Sequence, residues 1–208
     1  MGILDKVIAA VTPPESEEAR VDARRKARGL ATQGSWLEQV LDHHLQIDNA
    51  FEAVRFAQEP EQRRAAQRQL AMLLTGHSMA EEAVLYPALA LNDEKIKSEM
   101  SFVEQSAAKV QVAALEDLDP LSQDFLDKLE HLRGAVAHHV YEEESSRYPA
   151  LLEKASAVKN EMLSMRYREE SARYFGTRQS DAAALPGNAP LSGVAAATAN
   201  TTTGSVVG

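Results

Sequence analysis

Hydrophobic residues recur at three- and four-residue steps along four long stretches of the chain, which is the periodicity of helices with one buried face. The pattern predicts helices over residues 36–56, 61–86, 93–118 and 122–147. Pro87 is expected to end the second helix, and Pro149 to lie just beyond the fourth. Because short connections join helices of similar length, we expect an all-α fold, an up-down-up-down antiparallel four-helix bundle.

The segments on either side of this bundle, residues 36–151, differ from it in composition. Residues 1–35 predict an N-terminal helical arm, whose charged part is expected to form an exposed helix capped near Ser16. Residues 152–176 predict a further helix packed outside the bundle. Residues 177–208 contain no aromatic residue and almost no charge. We expect a disordered low-complexity tail there, because such a composition cannot offset the entropy of ordering.

Two matching segments lie near the ends of the second and fourth predicted helices. The first repeat is HSMAEEAVLYPAL, residues 77–89, and the second repeat is HVYEEESSRYPAL, residues 139–151. They agree at seven of thirteen positions: the histidine, the two acids four and five residues later, and the closing Tyr-Pro-Ala-Leu. A single His-x-x-x-Glu arises readily by chance on a charged helix. Two copies in the same register relative to a helix end indicate a shared function.

The spacing of His77 and Glu81, and that of His139 and Glu143, places each pair on one face of a helix, one turn apart. An imidazole and a carboxylate placed in this way can bind a metal ion. Both pairs continue the apolar stripes of their helices, where a carboxylate is costly unless it is paired or metal-bound. Three neighbouring acids are instead expected to be solvated: Glu82, Glu142 and Glu144.

Counting residues from the turns places four polar side chains at one height in the bundle. His44 lies 16 residues before Pro60 and His77 lies 17 after it, so the two are level in an antiparallel hairpin. The same count from the later turns brings Gln105 and His139 to this layer. Together with the two glutamates, these residues predict a site for two metal ions, with iron as the first choice and manganese as the second. The predicted metal ligands are His44, His77, Glu81, Gln105, His139 and Glu143.

Composition and charge narrow the classes of function. Lys and Arg number 22 and Asp and Glu number 31, and the formal net charge of −9 argues against a nucleic-acid-binding surface. The absence of cysteine excludes disulfides, thiolate metal sites and cysteine nucleophiles. No stretch approaches the roughly 20 apolar residues of a membrane helix, and no targeting leader is recognised. We therefore expect a cytoplasmic protein that binds neither nucleic acid nor membranes.

At this point the chain resembles the hemerythrin-like, or HHE cation-binding, family over roughly residues 36–151. The resemblance rests on Asp42-His43-His44 with Ile47-Asp48, on His77-x-x-x-Glu81-Glu82 with Leu85-Tyr86-Pro87, and on His139-x-x-x-Glu143-Glu144 with Tyr148-Pro149. It implies a four-helix bundle around a non-heme di-iron centre. The ligands that it implies by position are His44, His77, Glu81, His139 and Glu143.

One position departs from the family pattern. Where members usually carry Glu-His on the third helix, this chain has Glu104-Gln105. A glutamine oxygen is a weaker donor to iron than an imidazole, so one metal is expected to have an open or exchangeable position, or to bind weakly. Glu104 or His43 is a candidate replacement. The tyrosines of the two repeats, Tyr86 and Tyr148, are interpreted as packing residues at helix ends.

Three classes of function fit these observations. The first is a metal-binding protein that binds O₂ reversibly or senses O₂, NO or iron. The second is a di-iron enzyme of peroxidase-like or NO-reducing type in oxidative stress defence, and the third is a helical interaction scaffold with incidental metal. The absence of a second acid–base constellation favours the binder, whereas Gln105 favours reaction with peroxide. The expected partners are therefore O₂, NO or peroxide.

Overall fold

The structure of the protein is a computed structural model that describes residues 15–91 and 95–175. Within these ranges every regular element is helical: α1 (Glu17–Leu30), α2 (Trp36–Phe56), α3 (Pro60–Ala80), α4 (Tyr86–Ala90), α5 (Lys95–Ala114), α6 (Gln123–Glu142), α7 (Tyr148–Lys154) and α8 (Ala157–Phe175). Helix α2, the run α3–α4, helix α5 and the run α6–α7 form the four-helix bundle that the sequence predicts. The start of the arm (1–14) and the predicted tail (177–208) lie outside the described residues.

The helices begin where the sequence places caps. The hydroxyl of Ser16 accepts a hydrogen bond from the backbone N–H of Ala19, and that of Ser35 accepts one from Glu38, both at 3.2 Å. Gly34 turns the chain into α2 with a φ of 74°, a left-handed conformation that glycine adopts without steric cost. These caps fix the starts of α1 and α2. Within the described ranges, no helix is long and apolar enough to cross a membrane.

Pro87 does not end its helix, contrary to the prediction, and the fourth predicted helix also continues past residue 147 through Pro149. A π-helical turn precedes the proline in both repeats, Glu81–Leu85 between α3 and α4 and Glu143–Arg147 between α6 and α7. In each turn the N–H of the residue before the proline, Tyr86 or Tyr148, bonds to the carbonyl five residues earlier. The wider turn moves the backbone carbonyls away from the proline ring, so the helix continues through the proline.

The two helices outside the bundle pack closely against it. Helix α1 buries Ala23 and Ala27 and lies against the π turn of the second repeat, so it is not simply the exposed arm that was predicted. Helix α8 buries Leu163 and Tyr167 against α2 and α3. It begins at Ala157 rather than at residue 152, because the preceding residues continue α7.

A polar layer divides the apolar interior into two clusters. One cluster surrounds Trp36 at the end where α2 begins, and the other surrounds Phe51 further along α2. His44 lies between Leu41 of the first cluster and Ile47 of the second. The predicted metal site therefore occupies the boundary between two water-excluding regions of the core.

Candidate metal centre

The six predicted ligand residues are all buried in this polar layer, and none of them is more than 7% exposed. One ligand-type atom from each of four side chains lies within 4.8 Å of the others. This four-donor set is contributed by α2, by α3 and by the π turns of both repeats: His44, His77, Glu81 and Glu143. His139 and Gln105 adjoin it, and the ligand role of all six stays a prediction.

The two repeats present equivalent His–Glu pairs to each other. His77 Nε2 lies 3.2 Å from Glu81 Oε2, and His139 Nε2 lies 3.2 Å from Glu143 Oε1. His44 Nε2 lies between the pairs, 3.9 Å from Glu81 Oε1 and 3.4 Å from Glu143 Oε2. The four-residue spacing in the sequence thus produces two carboxylates that face each other with imidazoles around them.

Gln105 lies beside the first repeat. Its side-chain amide donates a hydrogen bond to Glu81, and its carbonyl oxygen Oε1 is buried without a hydrogen-bond partner among the described residues. The residue count from the turns therefore placed this side chain in the correct layer. At the position where the family pattern has an imidazole, the site has a neutral amide whose oxygen is free to accept.

Tyr86 and Tyr148 belong to the site, whereas the sequence interpretation made them packing residues. The Tyr86 hydroxyl lies 3.0 Å from Glu143 Oε1 and 3.2 Å from Glu81 Oε2, and the Tyr148 hydroxyl contacts the same two carboxylates, at 2.8 Å for Glu143. Each tyrosine follows its glutamate by five residues. A helix of ordinary pitch turns such a pair apart, but the π turn brings them together, so their identical position in both repeats was the available signal.

Two further carboxylates contact the Nδ1 atoms of imidazole rings whose Nε2 atoms face the cluster. Glu144 Oε1 lies 2.9 Å from Nδ1 of His44 and is 2% exposed, which corrects the expectation that it is solvated. Glu104 Oε2 lies 2.8 Å from Nδ1 of His139, so it supports a predicted ligand instead of replacing one. Nδ1 of His43, the other candidate replacement, contacts the Tyr167 hydroxyl of α8 at 3.0 Å.

Burial and close charges shift the acidities of the cluster in opposite directions. Burial and the charge of Glu143 raise the pKa of Glu81 to about 8. Burial also acts to raise the pKa of Glu143, but the charge of His139 keeps that pKa well below its usual value. Burial acts to lower the pKa values of His44 and His139, yet the adjacent carboxylates outweigh it and raise them to about 9 and about 10. Burial and the charge of His44 lower the pKa of His77.

The donor set fits a divalent cation. Three buried atoms of this set have no aligned hydrogen-bond partner among the described residues: His44 Nε2, His77 Nε2 and Glu143 Oε2. An unpartnered buried polar atom is costly, and a cation would satisfy all three. Donors bound to one ion at about 2.1 Å are at most about 4 Å apart, so the observed spread of 4.8 Å would have to contract by somewhat less than 1 Å around an ion. Mixed imidazole and carboxylate donors suit iron, manganese or zinc.

The fold and the site define a metal-binding four-helix-bundle protein. The chain belongs to the hemerythrin family: the profile described as Hemerythrin HHE cation binding domain matches residues 35–151. A solved structure of a Hemerythrin HHE cation binding domain-containing protein from Mycobacterium kansasii superposes with a TM-score of 0.60 at 21% identity. The match covers 72% of this chain and 93% of that one, and it supports the fold.

A curated relative has a different description. A DNA nickase from Nostoc is 24% identical over 133 residues, which is 64% of this chain. The aligned region spans 38% of the Nostoc protein, so most of that protein has no counterpart in the match.

Proposed function

We propose that this protein is a non-heme di-iron protein that binds or senses a small ligand, O₂, NO or iron itself, with manganese as the second choice of metal. The observation that carries the proposal is the buried four-donor set, in which three ligand-type atoms have no aligned partner among the described residues. Membership of a cation-binding family supports the metal, and the mixed imidazole–carboxylate donors support iron.

Five residues would hold the metal pair: His44, His77, Glu81, His139 and Glu143. Iron bound in such a site supplies a redox-active centre and a coordination position for a small ligand. The carboxylates of the two repeats face each other between the imidazoles, as a pair of neighbouring cations requires. The amide of Gln105 leaves the centre with one imidazole fewer than the family pattern, which favours an exchangeable position at one of the two metals.

The chain itself supplies the surroundings of the ligand. The two apolar clusters on either side of the polar layer exclude water from it. The hydroxyls of Tyr86 and Tyr148 offer O–H donors beside both carboxylates, where they can hydrogen-bond a small ligand or hold a proton near it. These donors together with a bound metal would suit a diatomic ligand.

The enzymatic alternative is favoured by the same tyrosines together with Gln105. Two buried O–H donors next to a weakly ligated metal position also suit a peroxidase-like or NO-reducing activity, which requires an external electron donor. The DNA nicking of the Nostoc relative is not carried over to this chain, because the match spans 38% of that protein and a net charge of −9 opposes polyanion binding.

Loading the full-length chain with iron(II) under nitrogen tests the proposal. The loaded protein is then exposed separately to O₂, NO and peroxide, while metal content and visible absorption are recorded. We expect close to two irons per chain and an absorption change that reverses when the ligand is removed. Sustained consumption of peroxide or NO would select the enzyme, and failure to take up iron would leave the scaffold and contradict the proposal.

A further inference from the structure

One side chain of α1 reaches the metal centre, although α1 lies outside the residues that match the family. Arg24 Nε lies 2.9 Å from Oε1 and 3.1 Å from Oε2 of Glu144. Glu144 Oε1 in turn lies 2.9 Å from Nδ1 of His44. Because Nε2 of His44 faces the two carboxylates of the repeats, three side chains form a line from α1 to the cluster.

We propose that Arg24 is a positioning residue of the metal centre, acting through Glu144 on the imidazole of His44. Helix α1 then contributes to metal binding through Arg24. This inference rests on the proposed metal-binding function, and it concerns residues that the family pattern does not include.

Glu144 is placed where a carboxylate orients a metal-bound histidine. An imidazole that binds metal through Nε2 donates its Nδ1–H to a carboxylate or carbonyl, which fixes the ring and its tautomer. Glu144 occupies that position behind His44. A carboxylate that is 2% exposed needs a counter-charge of its own, and α1 provides it.

Arg24 is suited to hold that carboxylate in one orientation. Its guanidinium contacts both oxygens of Glu144, and it also bonds Asp48 of α2 through another nitrogen. A guanidinium held by acids on two different helices has little freedom to rotate. Glu144 is therefore fixed, and with it the ring of His44.

The first repeat lacks this arrangement. Glu82 occupies the position that matches Glu144, but it pairs with Lys109 of α5 at 2.7 Å, and the described structure shows no contact between it and an imidazole. The line from Arg24 to His44 is therefore not a consequence of the repeated motif. It exists because α1 lies against the second repeat.

Arg28 offers a matched control on the same helix. It also ties α1 to α2, through a 2.7 Å bond to Asp42, but both partners are more than a third exposed and neither touches the cluster. Arg28→Met removes the ion pair to Asp42 of α2, and Arg24→Met removes both the pair to Asp48 of α2 and the pair to Glu144. Only Arg24→Met leaves Glu144 without its counter-charge.

The experiment measures iron(II) affinity of the full-length variants under nitrogen, by competition with a coloured chelator. We expect Arg24→Met to bind iron(II) about tenfold more weakly than the wild type, and Arg28→Met to stay within about twofold. Arg24→Lys keeps the charge but cannot hold Glu144 and Asp48 through two separate nitrogens of one planar group, so it recovers part of the loss. The visible band of cobalt(II), used as a second probe, shifts in Arg24→Met and not in Arg28→Met.

A double variant separates positioning from simple stabilisation. Glu144→Gln weakens iron(II) binding, and adding Arg24→Met to it costs no further affinity, because the two residues act in series. Equal losses in Arg24→Met and Arg28→Met, or additive losses in the double variant, would overturn the inference. If Arg24→Met does not fold, Arg24→Lys decides by the same criteria: affinity equal to the wild type overturns the inference. Absence of iron uptake by the wild type would refute the proposed function itself.

Discussion

The two repeats share the same histidine, glutamates and tyrosine, but their imidazole rings contact different neighbouring residues. In the second repeat, Nδ1 of His139 lies 2.8 Å from Glu104, which Arg147 also contacts at 3.4 Å. In the first repeat, Nδ1 of His77 is buried without a hydrogen-bond partner among the described residues. Gln105 of α5, a neutral amide, donates a hydrogen bond to Glu81 of this repeat.

This difference predicts two unequal metal positions. An imidazole whose other nitrogen is held by a carboxylate is oriented before metal arrives and is a stronger donor. His139 has such support from Glu104, and His44 has it from Glu144, whereas His77 lacks it in the described structure. We therefore expect one iron to bind tightly and the other to bind weakly and exchange.

Removing the facing carboxylates should have the largest effect. The double variant Glu81→Ala/Glu143→Ala is expected to lose the metal pair while keeping its helix content, since the bundle is held by the apolar clusters. Metal analysis and circular dichroism after iron(II) loading measure both quantities. The matched control changes the two partly exposed neighbours, Glu82→Ala/Glu142→Ala, and should load normally. Unchanged metal content in the first variant would refute the assignment.

Removing the carboxylate that contacts Nδ1 of His139 should weaken the metal position beside that ring. Glu104→Gln is expected to weaken the iron(II) position beside His139 by about 10- to 100-fold, because the ring loses the charged carboxylate that orients it and makes it a stronger donor. Glu82→Gln, which removes a carboxylate that pairs with Lys109, serves as the control and should change affinity by about twofold or less. Competition titration distinguishes the two. A loss of equal size in both variants would mean that the asymmetry has no role in binding.

Placing an imidazole at residue 105 should strengthen the weaker metal position. Gln105→His is expected to tighten binding of the second iron by about tenfold, since an imidazole is a better donor to iron than an amide oxygen. Gln111→His, further along the same helix, adds a histidine away from the layer and should leave binding unchanged. Stoichiometric titration of iron(II) provides the measurement. No change in the second binding step would show that Gln105 does not face a metal.

Replacing a tyrosine of the site should have a smaller effect, measured in the free energy of unfolding. Tyr148→Phe removes a donor from two buried carboxylates and is expected to lower the free energy of unfolding by about 1–2 kcal/mol. Urea unfolding with chelator present measures this. Tyr141→Phe, at a partly exposed position, should change the same free energy by no more than about 0.5 kcal/mol. Equal effects of the two variants would argue against a place for Tyr148 in the polar layer.

Local signals in the sequence were sufficient to predict the helices and the position of the site along the bundle axis. The cap at Ser35 and the apolar periodicity predicted α2 with its observed bounds, and the counts from the turns brought Gln105 to the layer of His44 and His77. Both predictions depend on distances along the chain, which the helical rise converts directly into distances in space.

The remaining features depend on contacts between distant parts of the chain or on a change of helical pitch. The π turns are the reason why the helices continue through the prolines. They are also the reason why the role of the tyrosines was missed, because residues five apart lie on different faces of an ordinary α-helix. Glu144 was read as solvated because the residue that covers it, Arg24, is 120 positions earlier in the sequence. No periodicity within one helix reports such a contact.

The central claim is that imidazoles and carboxylates of separate helices together hold two cations in the polar layer. Crystals of the iron-loaded protein, measured at the absorption edge of iron, test it most directly. The account predicts two anomalous peaks of unequal strength beside Glu81 and Glu143. Iron peaks elsewhere in the molecule, or none within the cluster, would contradict it.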